Sequence, residues 1–338
     1  MRAIRAAKPH DLQWIELPKP EIEGPKDVQI RVRAAGVCGS DIGIWNGSNS
    51  LATYPRVLGH EIAGEVEAVG SEVGGLKVGD HVCLDPISYC GKCYACRQNR
   101  PNVCKDLKVY GVHRDGGYCE YLVADEARFH KVPDSLTFEQ SVMIEPFTIA
   151  AQNVWRANVQ AGDVVLIHGA GPIGLILTDT AKRLGATVIV SEINEHRLGV
   201  AKEFGADFTI NPNKEEFLAR VEEITGGMGP NVIFEATGVP ALLTQAVELV
   251  SEAGRIVPLA FTATPIPVSV ALINKKELAI LGTRLQTNKF APVIETFEQK
   301  LDHVNRMITG TYPAEQFQQA FEDFVDPTST HCKVILTF

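Results

Sequence analysis

The sequence has little positive charge to spare and no long apolar run, and each shortage narrows what the chain can be. Its formal net charge is −9, with no block of basic residues. A nucleic acid or an anionic membrane surface therefore finds no electrostatic footing on it. The longest uncharged apolar run, Val164 to Thr178, covers 15 residues and contains three glycines and a proline, whereas a bilayer-spanning helix needs roughly 18 or more. The first ten residues, Met1 to His10, meet charges too often to hold the apolar centre of a secretion signal. A cytoplasmic location is expected, with no membrane and no nucleic acid among the partners.

What the chain does have is 338 residues, 45% of them hydrophobic, enough for two cores at about 100–200 residues per domain. It also has eight cysteines, four of them within fifteen residues. In a large chain kept in a reducing compartment, clustered thiols bind metal more readily than they form disulfides.

Short alternating runs punctuated by Pro18, Pro20, Gly24 and Pro25 predict an antiparallel, β-rich beginning: Ala3–Ala6, Leu12–Ile15, Val28–Arg33, Glu61–Val69, Gly79–Leu84 and Gly117–Val123. The character changes near Ser141. Helix over 141–157, strand 163–168, a helix ending near Gly185, strand 187–191, helix 195–204, strand 207–210, helix 214–225, strand 232–235, helix 240–251 and strand 255–259 form a βαβ series. Such a series predicts a doubly wound parallel sheet. Beyond Gly282, helices over 291–310 and 314–324 lead to a last strand at 333–338. Val293, Ile294, Phe297, Leu301, Val304 and Ile308 form one apolar stripe that packs onto the domain.

Cys90-x2-Cys93-x2-Cys96-x7-Cys104 lets one loop wrap a tetrahedral zinc ion. Four cysteines leave zinc no open position, so this site is structural. Gly169-x-Gly171-x-x-Gly174 follows a strand and opens a helix, with Pro172 and Ile173 inside the turn, and Glu192 ends the next strand. That context is the dinucleotide-binding one, in which Gly171 lets the backbone approach a pyrophosphate and Gly174 lets helix meet strand. Glu192 would accept from the adenosine ribose hydroxyls and repel a 2′-phosphate, favouring NAD over NADP. Arg197, five residues on, is placed to meet such a phosphate or to stand solvated on the next helix.

A third constellation is dispersed: Cys38-Gly39-Ser40-Asp41, Gly59-His60-Glu61 and Glu145-Pro146. With Gly59-His60-Glu61-x2-Gly64-x5-Gly70-x2-Val73 and the four-cysteine loop after it, the whole chain resembles zinc-dependent members of the medium-chain dehydrogenase/reductase (alcohol dehydrogenase) superfamily. The resemblance implies a GroES-like β-rich catalytic domain, residues 1–148 and 283–338, around a Rossmann nucleotide-binding domain, residues 149–282, with the site in the cleft between them. It also implies a second, catalytic zinc held by Cys38, His60 and either Glu61 or Glu145, and a homodimer or homotetramer. Two Zn2+ per chain are thus expected, one catalytic and one structural.

A cysteine, a histidine and a carboxylate leave zinc one open position, where an alcohol is acidified as zinc-bound water is, from about 15.7 to about 7. That is worth about 12 kcal/mol at 1.36 kcal/mol per unit. Hydride then passes from the alcohol carbon to nicotinamide C4. Ser40 resembles the family's hydroxyl that takes the substrate proton; its other reading is a loop serine capping a helix. Many members carry a histidine five residues after the cysteine, where this chain has Gly43. The proton is therefore expected to leave through water or another group such as His113.

The stretches Val109–Tyr118 and Gly282–Lys289 resemble the sugar-acid and polyol branch, in particular L-galactonate and L-gulonate 5-dehydrogenases. A sugar acid needs a cation for its carboxylate, best met by an arginine fork. Arg114 and Arg284 are the candidates. The competing expectations are a neutral polyol (sorbitol-type) or threonine-type dehydrogenase and, from another class, a non-catalytic zinc- and nucleotide-binding scaffold.

Overall fold

The alternating N-terminal runs become strands because each can hide one face. A computed structural model of the chain describes residues 1–261, 264–326 and 329–338, in two units: Met1–Glu145 with Thr287–Phe338, and Pro146–Gln286.

In the first unit the long strand Asp27–Val37 is central. It pairs antiparallel with Glu61–Val69 on one side and with Lys333–Thr337 on the other, and its first residues pair with Tyr121–Asp125. The sheet continues through His81–Leu84 to Phe129–Lys131, and through Lys333–Thr337 to Ile308–Pro313. Ala34, Ala63, Val142 and Ile335 form a buried cluster on it. Gly36 lies opposite Glu61 and Val37 opposite Val334. These two registers bring Cys38, Glu61 and Lys333 to neighbouring strand ends.

The second unit has a six-stranded, all-parallel sheet in the order Phe208–Ile210, Thr187–Ser191, Val164–His168, Val232–Glu235, Arg255–Pro258, Ala279–Ile280. Strand order reverses between Val164–His168 and Val232–Glu235, the switch point beside which such sheets hold ligands. Leu166, Ile189, Ile233 and Ile256 build its core with Val221, Val247 and Val250 from the covering helices.

Four elements differ from expectation, each for a local reason. The helix expected from 141 begins at Phe138, where Thr137 and Gln140 cap one another (3.2 and 2.9 Å), and it restarts at Ile144. The helix expected from 214 begins at Phe217, because Asn211 turns the chain first by accepting from Asn213 N at 3.0 Å. A helix at Val270–Lys276, with Ser269 accepting from Leu272 N at 3.3 Å, extends the βαβ series further. The helix expected over 291–310 is broken into Phe290–Glu295, a 3-10 turn at Phe297–Lys300 and Leu301–Met307, and residues Ile308–Pro313 are a strand. Ile308-Thr-Gly-Thr-Tyr312 alternates with period two, and parallel pairing with Lys333–Thr337 outweighs the helical stripe. Val293, Phe297 and Val304 of that stripe are buried.

Among the described residues no helix is long and apolar enough to cross a membrane.

His168 ends its strand 1% exposed, its ring 5.6 Å from that of Phe217, and burial lowers its pKa from 6.5 to about 4. Between those values the unfolded chain binds a proton that the folded chain refuses, so stability should fall as pH drops through the window. His168→Phe should flatten that part of the curve by up to about 3 kcal/mol, read from urea midpoints at pH 7, 5.5 and 4.

Candidate active site

Cys38 follows the last residue of the central strand and sits at the N-cap of the helix Gly39–Trp45. Asp41, three residues on, accepts from Cys38 N at 3.0 Å through Oδ2 and fixes the turn. Gly59 then takes φ +92, and a Cβ on it would overlap the Tyr118 ring. That turn delivers His60 and Glu61 beside the Cys38 strand end.

The donor atoms of Cys38, His60 and Glu61 lie within 4.8 Å of one another. His60 is buried, its Nε2 3.2 Å from Ser40 Oγ and its Nδ1 3.5 Å from Asp41 Oδ1. Neither His60 Nδ1 nor Asp41 Oδ1 has a closer hydrogen-bond partner. The carboxylate thus stands on the Nδ1 side, as in carboxylate–histidine–metal triads, leaving Nε2 to a metal. Tyr118 OH braces Asp41, 3.0 Å from Oδ2 and 2.8 Å from Gly36 O.

Carboxylates gather around His60. Burial alone would depress the His60 pKa, yet the Asp41 carboxylate and the Cys38 sulfur hold it well above 6.5. The field that retains a proton there also suits a cation. Glu145, near the start of the helix Ile144–Ala157, is pushed up to about 8, first by burial and then by the Glu61 carboxylate, against the pull of His60 and Lys333. It is not one of the three clustered donors.

Lys333 escaped the sequence reading. It is 2% exposed and ion-paired with Glu61, which is equally buried. Burial lowers its pKa, but Glu61 and Cys38 more than restore it, and the net shift is upward. Gly36 makes the pair possible, since a Cβ there would overlap Glu61 Oε2 and crowd Lys333 Cε. Nothing in the pattern Lys-Val-Ile-Leu-Thr distinguishes this lysine from one on an exposed strand end. Asp41 and Tyr118 were missed too, and only the Cys-x-x-Asp spacing hinted at the first.

The four-cysteine loop closes on itself: Cys93 Sγ lies 3.5 Å from Cys96 Sγ and 3.8 Å from Cys104 Sγ, and Cys104 Sγ 3.5 Å from Cys90 Sγ. A tetrahedron with Zn–S bonds of about 2.3 Å has sulfurs about 3.8 Å apart, while a disulfide needs about 2.05 Å. Amides of Cys90 and Asp106 also donate to Cys104 Sγ at 3.4 and 3.3 Å. The donors fit zinc.

In the second unit Gly169 has φ +97, Gly171 caps the helix Pro172–Arg183, and Pro172 and Ile173 form its first turn. A Cβ on Gly174 would overlap Gly169 O, while one on Gly171 would meet nothing. Gly174 thus permits helix–strand packing, and Gly171 leaves a space a phosphate can use. Glu192 Oε2 accepts from Ala170 N at 3.0 Å and Oε1 from the amides of Ile193 and Asn194 at 2.8 and 3.0 Å. The carboxylate therefore also latches the glycine turn to the next strand. Glu192 and Arg197 both line a cavity of about 670 Å3 with Gly169 and Gly171.

Three further candidates are not among those clustered donors. His113 accepts from Val109 N at 3.2 Å through Nδ1, and Arg114 covers the Tyr110 ring at 4.2 Å. Both line a cavity with Met1, Arg56 and Asp115 that includes none of Cys38, Ser40 and His60. Arg284 in the second unit stands 5.8 Å from the Phe261 ring, and burial lowers its pKa.

Residues 24–134 match the model of the alcohol dehydrogenase GroES-like domain and residues 172–299 that of the zinc-binding dehydrogenases. The starvation-sensing protein RspB of Escherichia coli K12 is 40% identical over 342 residues, covering 100% of this chain and 99% of RspB. A crystal structure of RspB from E. coli CFT073 complexed with NADH superposes with a TM-score of 0.93 at 40% identity, covering 100% and 99%. L-galactonate-5-dehydrogenase of E. coli K12 is 33% identical over 340 residues, covering 100% and 99%. The chain belongs to the zinc-type alcohol dehydrogenase family, within the medium-chain dehydrogenase/reductase superfamily. It is an oxidoreductase acting on CH–OH donors.

Gly59→Ala should cost about 2 kcal/mol or more, from positive φ and the clash with Tyr118 together. Thermal unfolding checks this against Gly171→Ala, whose Cβ meets no atom and whose Tm should stay near wild type.

Proposed function

We propose that this enzyme oxidises a secondary hydroxyl of a sugar acid to the ketone with NAD. Residues 1–148 and 283–338 form its catalytic domain and residues 149–282 its nucleotide-binding domain. The observation that carries the catalytic reading is the convergence of Cys38, His60 and Glu61 donors within 4.8 Å, on a buried strand end.

A zinc ion held by these three would supply Lewis acidity to a hydroxyl, and a bound nicotinamide would accept its hydride. The protein's own side chains do the rest. Asp41 orients His60, and Ser40 Oγ, 3.2 Å from His60 Nε2, receives the hydroxyl proton. With Gly43 where a relay histidine would stand, the proton leaves through water or through another group such as His113. Lys333, paired with Glu61, would share that carboxylate with the metal. Glu145 stays the alternative to Glu61 as the metal's third protein ligand. Cys90, Cys93, Cys96 and Cys104 hold a second, structural zinc. Glu192 takes the adenosine ribose, which favours NAD, and Arg197 stands at its rim.

The sugar-acid reading is supported by similarity over the full length of this chain to L-galactonate-5-dehydrogenase at 33% identity, while Bacillus subtilis sorbitol dehydrogenase at 35% and Pyrococcus furiosus L-threonine 3-dehydrogenase at 36%, each over 95% of this chain, support the polyol and threonine alternatives. The half-buried Arg284 offers a cation for the substrate carboxylate, with Arg114 the alternative. The enzyme is taken to act as a homodimer or homotetramer.

Metal analysis should give two zincs per chain. Cys93→Ser should lose one of them and lower Tm by several degrees, whereas a single zinc in the wild type would point to a scaffold. The substrate is tested by an NAD-reduction screen across hexonates, polyols, threonine and simple alcohols with zinc-loaded protein. A hexonate should give the highest kcat/KM, and Arg284→Ala should lower that value about 10-fold or more while changing a neutral polyol little. Preference for a polyol or threonine would overturn the sugar acid but not the dehydrogenase.

A further inference from the structure

Tyr118 is completely buried, and its contacts reach each segment that carries a donor of the Cys38, His60 and Glu61 cluster. Its backbone N donates to Leu58 O at 2.9 Å, two residues before His60. Its ring fills the place that a Cβ on Gly59 would take. Its hydroxyl donates to Gly36 O at 2.8 Å, on the residue that pairs with Glu61 and stands two before Cys38. The same hydroxyl lies 3.0 Å from Asp41 Oδ2.

The two oxygens of Asp41 are used differently. Oδ2 faces two donors from separate segments, Cys38 N and Tyr118 OH, each at 3.0 Å. Oδ1 has no hydrogen-bond partner and stands 3.5 Å from His60 Nδ1. The terminal torsion of an aspartate has a broad, roughly two-fold profile, so nothing within Asp41 holds Oδ1 toward the imidazole. Cys38 N alone would anchor Oδ2 and let the carboxylate plane tilt about that point. A second donor fixes the plane. A ring alone would fill the space beside Gly59, whereas a hydroxyl in this depth is a burden unless it finds acceptors. Here it finds two.

We propose that the Tyr118 hydroxyl positions the metal site: shared between Gly36 O and Asp41 Oδ2, its proton sets the plane of the Asp41 carboxylate, so that Oδ1 meets His60 Nδ1 and Nε2 is left to the ion. The role rests on the reading of Cys38, His60 and Glu61 as a zinc site. Tyr118 acts through Asp41 and is a positioning residue, not a catalytic one. Groups that orient a ligand in this way typically change metal affinity about 10–100-fold.

The test holds zinc-loaded, full-length protein in zinc–chelator buffers of graded free zinc and measures the zinc bound per chain. The wild type should lose its two zincs in two steps, and the step missing from Cys38→Ser marks the site in question. Tyr118→Phe keeps the ring against Gly59 and removes only the hydroxyl. It should weaken that site about 10-fold and leave the four-cysteine site within about 2-fold of wild type. Asp41→Asn keeps the shape, removes the charge and should weaken the same site. Adding Tyr118→Phe to Asp41→Asn should then cost less than about 2-fold more, because the hydroxyl has lost the group it works through. Unchanged affinity in Tyr118→Phe, equal weakening of both zincs, or full additivity in the double variant would overturn the proposal. If the wild type holds only the four-cysteine zinc, the catalytic-site reading itself fails and the role of Tyr118 with it.

Discussion

The pairing of Gly36 with Glu61 on one side and of Val37 with Val334 on the other is the constraint on which the metal-binding end of the molecule depends. It gathers a thiol, an imidazole and several carboxylates where little water reaches. Buried charge of one sign is unstable unless a cation accompanies it. The protein supplies one of its own, Lys333 on Glu61, and the clustered donors of Cys38, His60 and Glu61 could hold a second. A slip of one residue in either pairing would turn these side chains to the opposite face of the sheet and dismantle the site.

The two donor clusters differ in how they are built. Cys90 to Cys104 come from one loop, so their spacing along the chain nearly dictates their spacing in space, with backbone amides donating to a sulfur. Cys38, His60, Glu61 and Lys333 come from the ends of three neighbouring strands of one sheet, and their meeting depends on the whole sheet forming. Gly36 and Gly59 belong to that construction as much as the donors do. Each is small because a neighbour's side chain, Glu61 or Tyr118, occupies the place of a Cβ.

The nucleotide turn combines both situations. Its glycines are local, and their roles follow from the strand–turn–helix pattern. Glu192 adds a long-range tie, accepting from Ala170 N across the turn, so the residue expected to meet the ribose also holds the turn's shape.

The sequence by itself determined the elements whose information is short-range. These are the alternating strands, the βαβ series, the four-cysteine loop and the glycine turn with its acidic residue, because local spacing fixes period, capping and loop geometry. It ran one helix through 291–310, where a 3-10 turn interrupts it and sheet pairing with the last strand takes the chain from Ile308 onward. Tertiary structure alone decided that Lys333 faces Glu61, that Asp41 and Tyr118 brace His60, and that His113 and Arg114 share one cavity. Those facts depend on strand register and on which side chains share a buried volume. A lysine in a Lys-Val-Ile-Leu-Thr strand carries no local mark of the carboxylate it will meet when the sheet closes.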